Sequence, residues 1–479
     1  MQLLRSMKIL WVFRRSELDK LDKYEKKRPF KIIMRILHNI ILLLFVLGSI
    51  GCTEELDSKP SSEEPTVSNF SLVYAIDEKP SGMKEANRLG IWYPISDFDA
   101  VGLYLPPGKS MEVIVKNIEG DSEPKLLVGT YSRYNAGDIP TTINLVSGTN
   151  TVKDSKGGLL YLRYVTDESP SGKVEVTFSG GEPVPVYKLG ETSHEQWLEM
   201  LDTMSFRNVQ MVSERTMVVV SKETALSYKD VSQDEMLMKL DRAWDMEDYI
   251  SGIDGSSELH KSNVHKLLIT ETADPDYFMA ANRYRVMVSH DACDRIMDPK
   301  RISSNSWGIW HEMGHMHQTI RWDWAQVDEV TVNIYSLAAL YGFNGAMVWL
   351  KGHDIWDVLE DYFQVPLDDR NYNTSGMLTG KGRLAMFRQL WMAFGDEFYI
   401  KVHQLSREDN GESQRVKSRS FNYGNEKMAY FMLISSKACG YNLKDFFIQW
   451  GFKLPQEAFD ALDALNLPDP EIDLLKLRE

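Results

Sequence analysis

His311-Glu312-Met313-Gly314-His315 sets two imidazoles four residues apart, with a carboxylate beside the first. An α-helix advances about 100° per residue, so positions i and i+4 share a face. On a helix, both imidazoles can grip one metal ion while Glu312 takes a proton from a water held there. The flanks favour a helix: Ile309-Trp310 precede the motif, and Val327–Leu340 downstream has helical periodicity. The chain must therefore fold so that a second element completes the metal shell.

A catalytic zinc site needs three protein ligands and one open position. A metzincin third ligand is excluded, because Gln318 and Arg321 stand where glycine and histidine would be required. His317 would lie about 160° around a continuing helix from His315, so it reads as a packed or polar histidine. The next helix opens with Asp328 and Glu329, and its apolar stripe is Val327, Val330, Ile334, Leu337, Ala338 and Tyr341. Both acids flank that stripe at about 130° from its centre, so periodicity does not choose between them. The longer glutamate and the His-His-Glu precedent favour Glu329. Asn333, one turn later, is a candidate to orient the site. Tyr335, Tyr284, His290 and Arg321 are candidates to share the charge that develops on a substrate oxygen. The tryptophans Trp307, Trp310, Trp322 and Trp324 read as core or cleft wall.

The run from Trp307 to Gln318 is W-G-I-W-H-E-M-G-H-M-H-Q, followed by Trp324 and, from Glu329, by E-V-T-V-N-I-Y-S-L. This resembles the enhancin-like zinc metallopeptidases, a gluzincin family with the motif H-E-x-G-H-x-x-Q followed by E-V-x-x-N. His311, Glu312, Gly314, His315, Gln318, Glu329, Val330 and Asn333 match its fixed positions. Gly157-Gly158-Leu159-Leu160-Tyr161 resembles the family's G-G-L-I-Y strand. Leu390 through Phe394-Gly395, and Gly440-Tyr441-Asn442-Leu443 through Trp450-Gly451, resemble its C-terminal helices. The resemblance covers most of the chain after about residue 70. It implies Zn2+ held by His311, His315 and Glu329, with Glu312 as the base. It also implies O-glycosylated, mucin-like glycoproteins as substrates. Met287-Val288-Ser289-His290-Asp291 departs from the family, lacking an expected glycine and tyrosine, so the specificity is not carried over with the metal chemistry. Two alternatives stand beside this one. The first is a surface glycan- or mucin-binding adhesin with a vestigial zinc site; the second is a zinc hydrolase of non-mucin peptides.

The 479 residues suffice for two or three domains, and a formal net charge of −15 argues against nucleic acid as a partner. The apolar run Ile40–Gly51 is too short to span a membrane, which takes about twenty residues. It ends Leu47-Gly48-Ser49-Ile50-Gly51-Cys52, which resembles a bacterial lipoprotein cleavage site. We expect Cys52 to carry lipid and to anchor the chain at the cell envelope, facing periplasm or exterior. Residues 1–33 are unlike a signal peptide, and a start at Met34 would give one of conventional shape.

The expected fold class is α+β and multidomain. An N-terminal extension and signal (1–51) and an acidic tether (52–68) precede a β-sandwich (69–185). A gluzincin-like mixed α/β core (186–345) and a helical C-terminal subdomain (346–479) follow. Within these, periodicity predicts strands over 217–220, 264–270 and 284–288. It predicts helices over 195–204, 233–249, 346–363, 383–405, 427–437 and 443–450. Cys293 and Cys439 could pair or remain free thiols.

Overall fold

Alternating apolar residues begin the described chain. In the computed structural model, which describes residues 71–346, 349–409 and 423–479, the strands Ser110–Glu119 and Lys173–Ser179 bury Val113, Val115, Val174, Val176 and Phe178. These strands lie in a four-stranded antiparallel sheet, and a five-stranded antiparallel sheet contains Asp99–Leu105 and Gly158–Arg163. The two sheets make the β-rich N-terminal part. Cys52, Met34 and the acidic tether lie outside the described residues.

Directly after this part the chain enters a six-stranded mixed sheet, beginning with Val186–Lys188. Its central strands, Thr216–Ser221 and Leu267–Thr272, are parallel and buried almost throughout, as a sheet covered on both faces requires. The far edge is a hairpin in which Met279–Asn282 pairs only with Arg285–Ser289. A loop of the N-terminal part is pinned to this sheet. Arg133 donates to Asn208 Oδ1 (2.7 Å) and to the Glu271 carbonyl (3.2 Å), and Arg285 donates to Ser132 Oγ at 2.8 Å.

From Asp328 onward every regular element among the described residues is helical. Two expected helices are broken. The 383–405 segment is two helices, Gly380–Phe394 and Asp396–Glu408, because Gly395 between them takes φ 70°, ψ −170°. Among the described residues of the 346–363 segment the α-helix is Ile355–Gln364, after a short 3-10 turn and Asp354 at φ 54°. Cys293 and Cys439 are both free thiols. Among the described residues no helix is long and apolar enough to cross a membrane.

Two large hydrophobic cores result among the described residues. One fills the space around the mixed sheet and takes in Ile309, Trp310, Met313 and Met316. The other joins the C-terminal helices and takes in Trp322, Trp324, Val330, Ile334, Tyr335 and Leu337. The H-E-x-x-H helix faces the first core, and the helix after it faces the second. The polar side chains between them sit at the seam.

Candidate metal centre

The motif helix runs Trp307–Gly314 and is shorter than its sequence suggests. It stops where the next helix, Asp328–Asn344, crosses it. A Cβ added to Gly314 would come within 2.8 Å of the Val332 carbonyl oxygen, so only glycine permits this close backbone approach. His315 is the capping residue and keeps right-handed helical geometry (φ −60°, ψ −25°), so it still shares a face with His311. Gly314 thereby sets the distance between the two imidazoles and the first turn of the neighbouring helix, where Glu329 sits.

His311, His315 and Glu329 come together there, each offering one ligand atom within 4.8 Å of the others. His311 Nε2 lies 3.0 Å from Glu329 Oε2, and His315 Nε2 lies 3.7 Å from the same oxygen. The side chain of Glu329 keeps 36% of its surface exposed, which leaves an open side to the cluster. Asp328, the other acid of that turn, instead faces Asp323, which accepts hydrogen bonds from Thr331 Oγ1 (3.1 Å) and Trp92 Nε1 (2.6 Å).

The outer nitrogens are fixed by amides. His311 Nδ1 meets Asn333 Oδ1 at 2.9 Å, and His315 Nδ1 meets Gln318 Oε1 at 2.6 Å. An amide oxygen only accepts, so both Nδ1 atoms carry a proton and both Nε2 atoms face the cluster, where loss of the second proton frees them to ligate. The amides are themselves held: Asn333 donates to the Glu329 carbonyl at 2.9 Å, and Gln318 donates to the Asp328 carbonyl (2.6 Å) and Thr331 Oγ1 (2.8 Å). Two imidazole Nε2 atoms of fixed tautomer and one carboxylate, with one side open, fit the donor set of a catalytic zinc ion.

The charges follow from this packing. Burial works against charge on His315, but the carboxylates of Glu329, Glu312 and Asp328 outweigh it and push the imidazole up to about 10. His311 is also raised, with burial again opposed by Glu329. Burial would raise Glu329, yet the two imidazoles hold it well below the usual carboxylate range. Metal loading at neutral pH must therefore displace protons from the cluster. Glu312 is buried beside the imidazoles. Burial raises its pKa most strongly, while His311, His315 and the Ala281 backbone N–H on the edge strand pull it down. The net upward shift moves this carboxylate toward the neutral range in which a general base is useful.

His317 does not continue the helix. It turns to the opposite side, with Nε2 3.0 Å from Asp248 Oδ1 and Nδ1 3.1 Å from Glu247 Oε2. A cavity of about 10 Å³, room for one water, lies on that side among Asp248, His317, His403 and Arg407. Three of the four candidates for the oxyanion are committed elsewhere. Tyr335 donates to the His317 carbonyl at 3.0 Å, Arg321 pairs with Asp409 at 3.1 Å, and His290 meets Glu271 at 3.0 Å. Tyr284 sits at the tip of the edge hairpin with φ 72°, its ring 5.4 Å from that of Tyr131. Gln318 belongs to the site as the residue holding His315, a role its place in the motif does not by itself reveal. Trp310, Trp322 and Trp324 are core, and Trp307 stacks on Trp349 with 4.1 Å between centroids.

Comparison with known proteins places the family. A family model described as peptidase M60, enhancin and enhancin-like, matches residues 180–451, and one for the N-terminal domain of M60-like peptidases matches residues 81–179. A solved conserved protein of unknown function from Bacillus anthracis str. Ames is 27% identical, with a TM-score of 0.76 over 85% of this chain and 81% of that one. The ZmpB metallopeptidase from Clostridium perfringens is 19% identical, with a TM-score of 0.72 over 85% and 82% of the two chains. The M60 catalytic domain of ZmpC from the same organism, solved in complex with the sialyl T antigen, has 19% identity and a TM-score of 0.71 over 85% and 82%. TRPM8 channel-associated factor 1 from Bos taurus is 23% identical over 397 residues, which is 79% of this chain and 40% of that protein. The chain thus spans about two fifths of the length of that curated relative. With the peptidase M60 model covering more than half its length and the N-terminal model directly before it, the chain belongs to the enhancin and enhancin-like peptidase M60 family.

Proposed function

We propose that this chain is a zinc-dependent endopeptidase that hydrolyses peptide bonds in O-glycosylated, mucin-like glycoproteins. One observation carries this: His311 Nε2, His315 Nε2 and a Glu329 oxygen converge within 4.8 Å, and the buried carboxylate of Glu312 lies beside them. Zinc bound by those three groups would acidify a water and polarise the scissile carbonyl. The chain's own residues do the rest. Asn333 and Gln318 hold the imidazoles in the ligating tautomer. Glu312 takes a proton from the attacking water and delivers it to the leaving amine nitrogen as the C–N bond breaks. The edge strand Met279–Asn282 has one unpaired side, toward which the Ala281 N–H points, and an extended peptide can pair along it.

Support for the glycoprotein substrate comes from likeness to a catalytic domain solved in complex with the sialyl T antigen. The relative named TRPM8 channel-associated factor 1 is not named for proteolysis, so a second reading stands beside the first, a surface glycan- or mucin-binding adhesin whose metal site is vestigial. The test is a panel of matched O-glycosylated and deglycosylated peptides, offered to the zinc-loaded protein and to Glu312→Gln. Cleavage of the glycosylated set by the wild type alone supports the endopeptidase. Equal cleavage of both sets removes the glycan requirement. Retention of glycopeptides without any cut product supports the binding protein. We also propose that Cys52 anchors the chain to the envelope; Cys52→Ser should abolish labelling with a clickable palmitate analogue, and unchanged labelling would refute it.

A further inference from the structure

When water adds to a peptide carbonyl, the oxygen takes a full negative charge. A neutral donor already aimed at that position speeds the reaction by about 10²- to 10³-fold. His311, His315, Glu329 and Glu312 do not supply such a donor, since ionised carboxylates have none and both imidazole Nδ1 protons are spent on Asn333 and Gln318.

The N-terminal part sends one segment into the seam. Ile91 pairs antiparallel with Thr319, Trp92 N donates to the Gln318 carbonyl at 3.1 Å, and Ile320 N donates to the Gly90 carbonyl at 2.8 Å. On its other side, Tyr284 N donates to the Pro94 carbonyl at 2.8 Å. The segment is therefore stitched between the loop that carries Gln318, which holds His315, and the hairpin of the edge strand. Tyr93 lies between these two attachments. Its ring packs with the core beneath the motif helix, and the residue is half-buried. Its hydroxyl makes no hydrogen bond among the described residues. Burial, with the carboxylates of Asp328, Asp323, Glu329 and Glu312, pushes its pKa up to about 12, so the phenol is a neutral donor throughout the working range of a peptidase. The loop attached on one side of it holds His315 through Gln318, and the hairpin attached on the other side carries Ala281, whose N–H meets Glu312.

We propose that Tyr93 is a catalytic residue whose hydroxyl donates a hydrogen bond to the scissile carbonyl oxygen as that oxygen takes up negative charge. This rests on the endopeptidase reading above. Water oxygen bonds to the carbonyl carbon, the carbonyl π pair moves onto oxygen, and the water proton goes to Glu312. Tyr93 keeps its proton and shares it with the new oxyanion. The C–N bond then breaks, the carbonyl re-forms, and Glu312 passes its proton to the amine. Tyr93 thus makes the N-terminal part a contributor to the chemistry as well as to the fold.

The test uses the full, zinc-loaded chain and Tyr93→Phe, which keeps the ring and removes only the hydroxyl. On an O-glycosylated peptide, kcat should fall by about 10²-fold, with KM, zinc content and melting temperature unchanged. A phosphinic dipeptide, whose P–O⁻ imitates the oxyanion, should bind at least about tenfold more weakly to the variant. A kcat within about threefold of wild type, or a change in KM alone, overturns the assignment. Glu312→Gln separates the two claims. If wild type cleaves, Glu312→Gln does not, and Tyr93→Phe matches wild type, the peptidase stands and Tyr93 falls. If wild type cleaves nothing, the peptidase reading falls, and equal affinity of wild type and Tyr93→Phe for the phosphinic dipeptide overturns Tyr93 as well.

Discussion

His315 and His317 are two residues apart, both largely buried and both raised in pKa by carboxylates, yet they have opposite uses. On the front of the motif segment, His315 spends Nδ1 on an amide oxygen and leaves Nε2 facing Glu329 across 3.7 Å, on the open side of the cluster. On the back, His317 spends Nε2 on Asp248 at 3.0 Å and Nδ1 on the Met313 carbonyl at 3.3 Å, with Glu247 Oε2 as a charge partner 3.1 Å from Nδ1, and its ring lies 4.3 Å from that of Trp244. A histidine with one free, aimed nitrogen can hold a metal; one with both nitrogens committed can only hold the fold. Burial alone does not distinguish them, and neither does the direction of the pKa shift.

The sharpest way to break this contrast starts at the front. Glu312→Gln should lower kcat on a cleaved glycopeptide by about 10⁴-fold while zinc stays bound, measured by turnover beside metal analysis. Residual activity near that of the wild type would remove Glu312 from the chemistry. At the back, His317→Gln should leave the zinc stoichiometry intact yet destabilise the chain by about 3 kcal/mol, because Glu247 and Asp248 lose their buried partner. Urea unfolding reads this, and loss of zinc in that variant would erase the distinction between the two sides. A smaller effect is expected one step out from the metal. Gln318→Ala or Asn333→Ala should weaken zinc binding by about 10- to 100-fold in a competition with a chelator, with the melting temperature of the metal-free protein little altered.

The smallest effect is a pH dependence. Burial opposes charge on His317, but Asp248 and Glu247 override it and push the imidazole up to about 9; Glu247 itself is raised by burial to about 7. Both folded values lie above the ordinary ones, so both contributions are complete at low pH and lost as pH rises. The stability gap between wild type and His317→Gln should therefore shrink as pH climbs from about 6.5 through about 9. A gap that widens over that window would contradict the pairing.

Much of the front was legible in the sequence, because its geometry is local. The i, i+4 spacing of His311 and His315 fixes their common face, and the side-chain length of glutamate favoured Glu329 over Asp328. What escaped was set at long range. The motif helix ends at Gly314 because Val332, eighteen residues on, leaves no room for a side chain. The edge strand Met279–Asn282 reads Met-Ala-Ala-Asn, with no β-branched residue to announce it, and is a strand only because Arg285–Ser289 pairs with it. Tyr93 carries no pattern at all; its position follows from the pairing of Ile91 with Thr319, more than two hundred residues away. The broken helix at Gly395 was more accessible, since a glycine after fifteen helical residues is a common stop.

The central claim is that one metal ion sits on the front of this segment and none on the back. Zinc-edge anomalous diffraction from crystals of the zinc-loaded protein tests it most directly. The expected result is one peak about 2.0–2.2 Å from His311 Nε2, His315 Nε2 and a Glu329 carboxylate oxygen. A map with no peak at those three atoms, or with its peak on His317, would contradict the account.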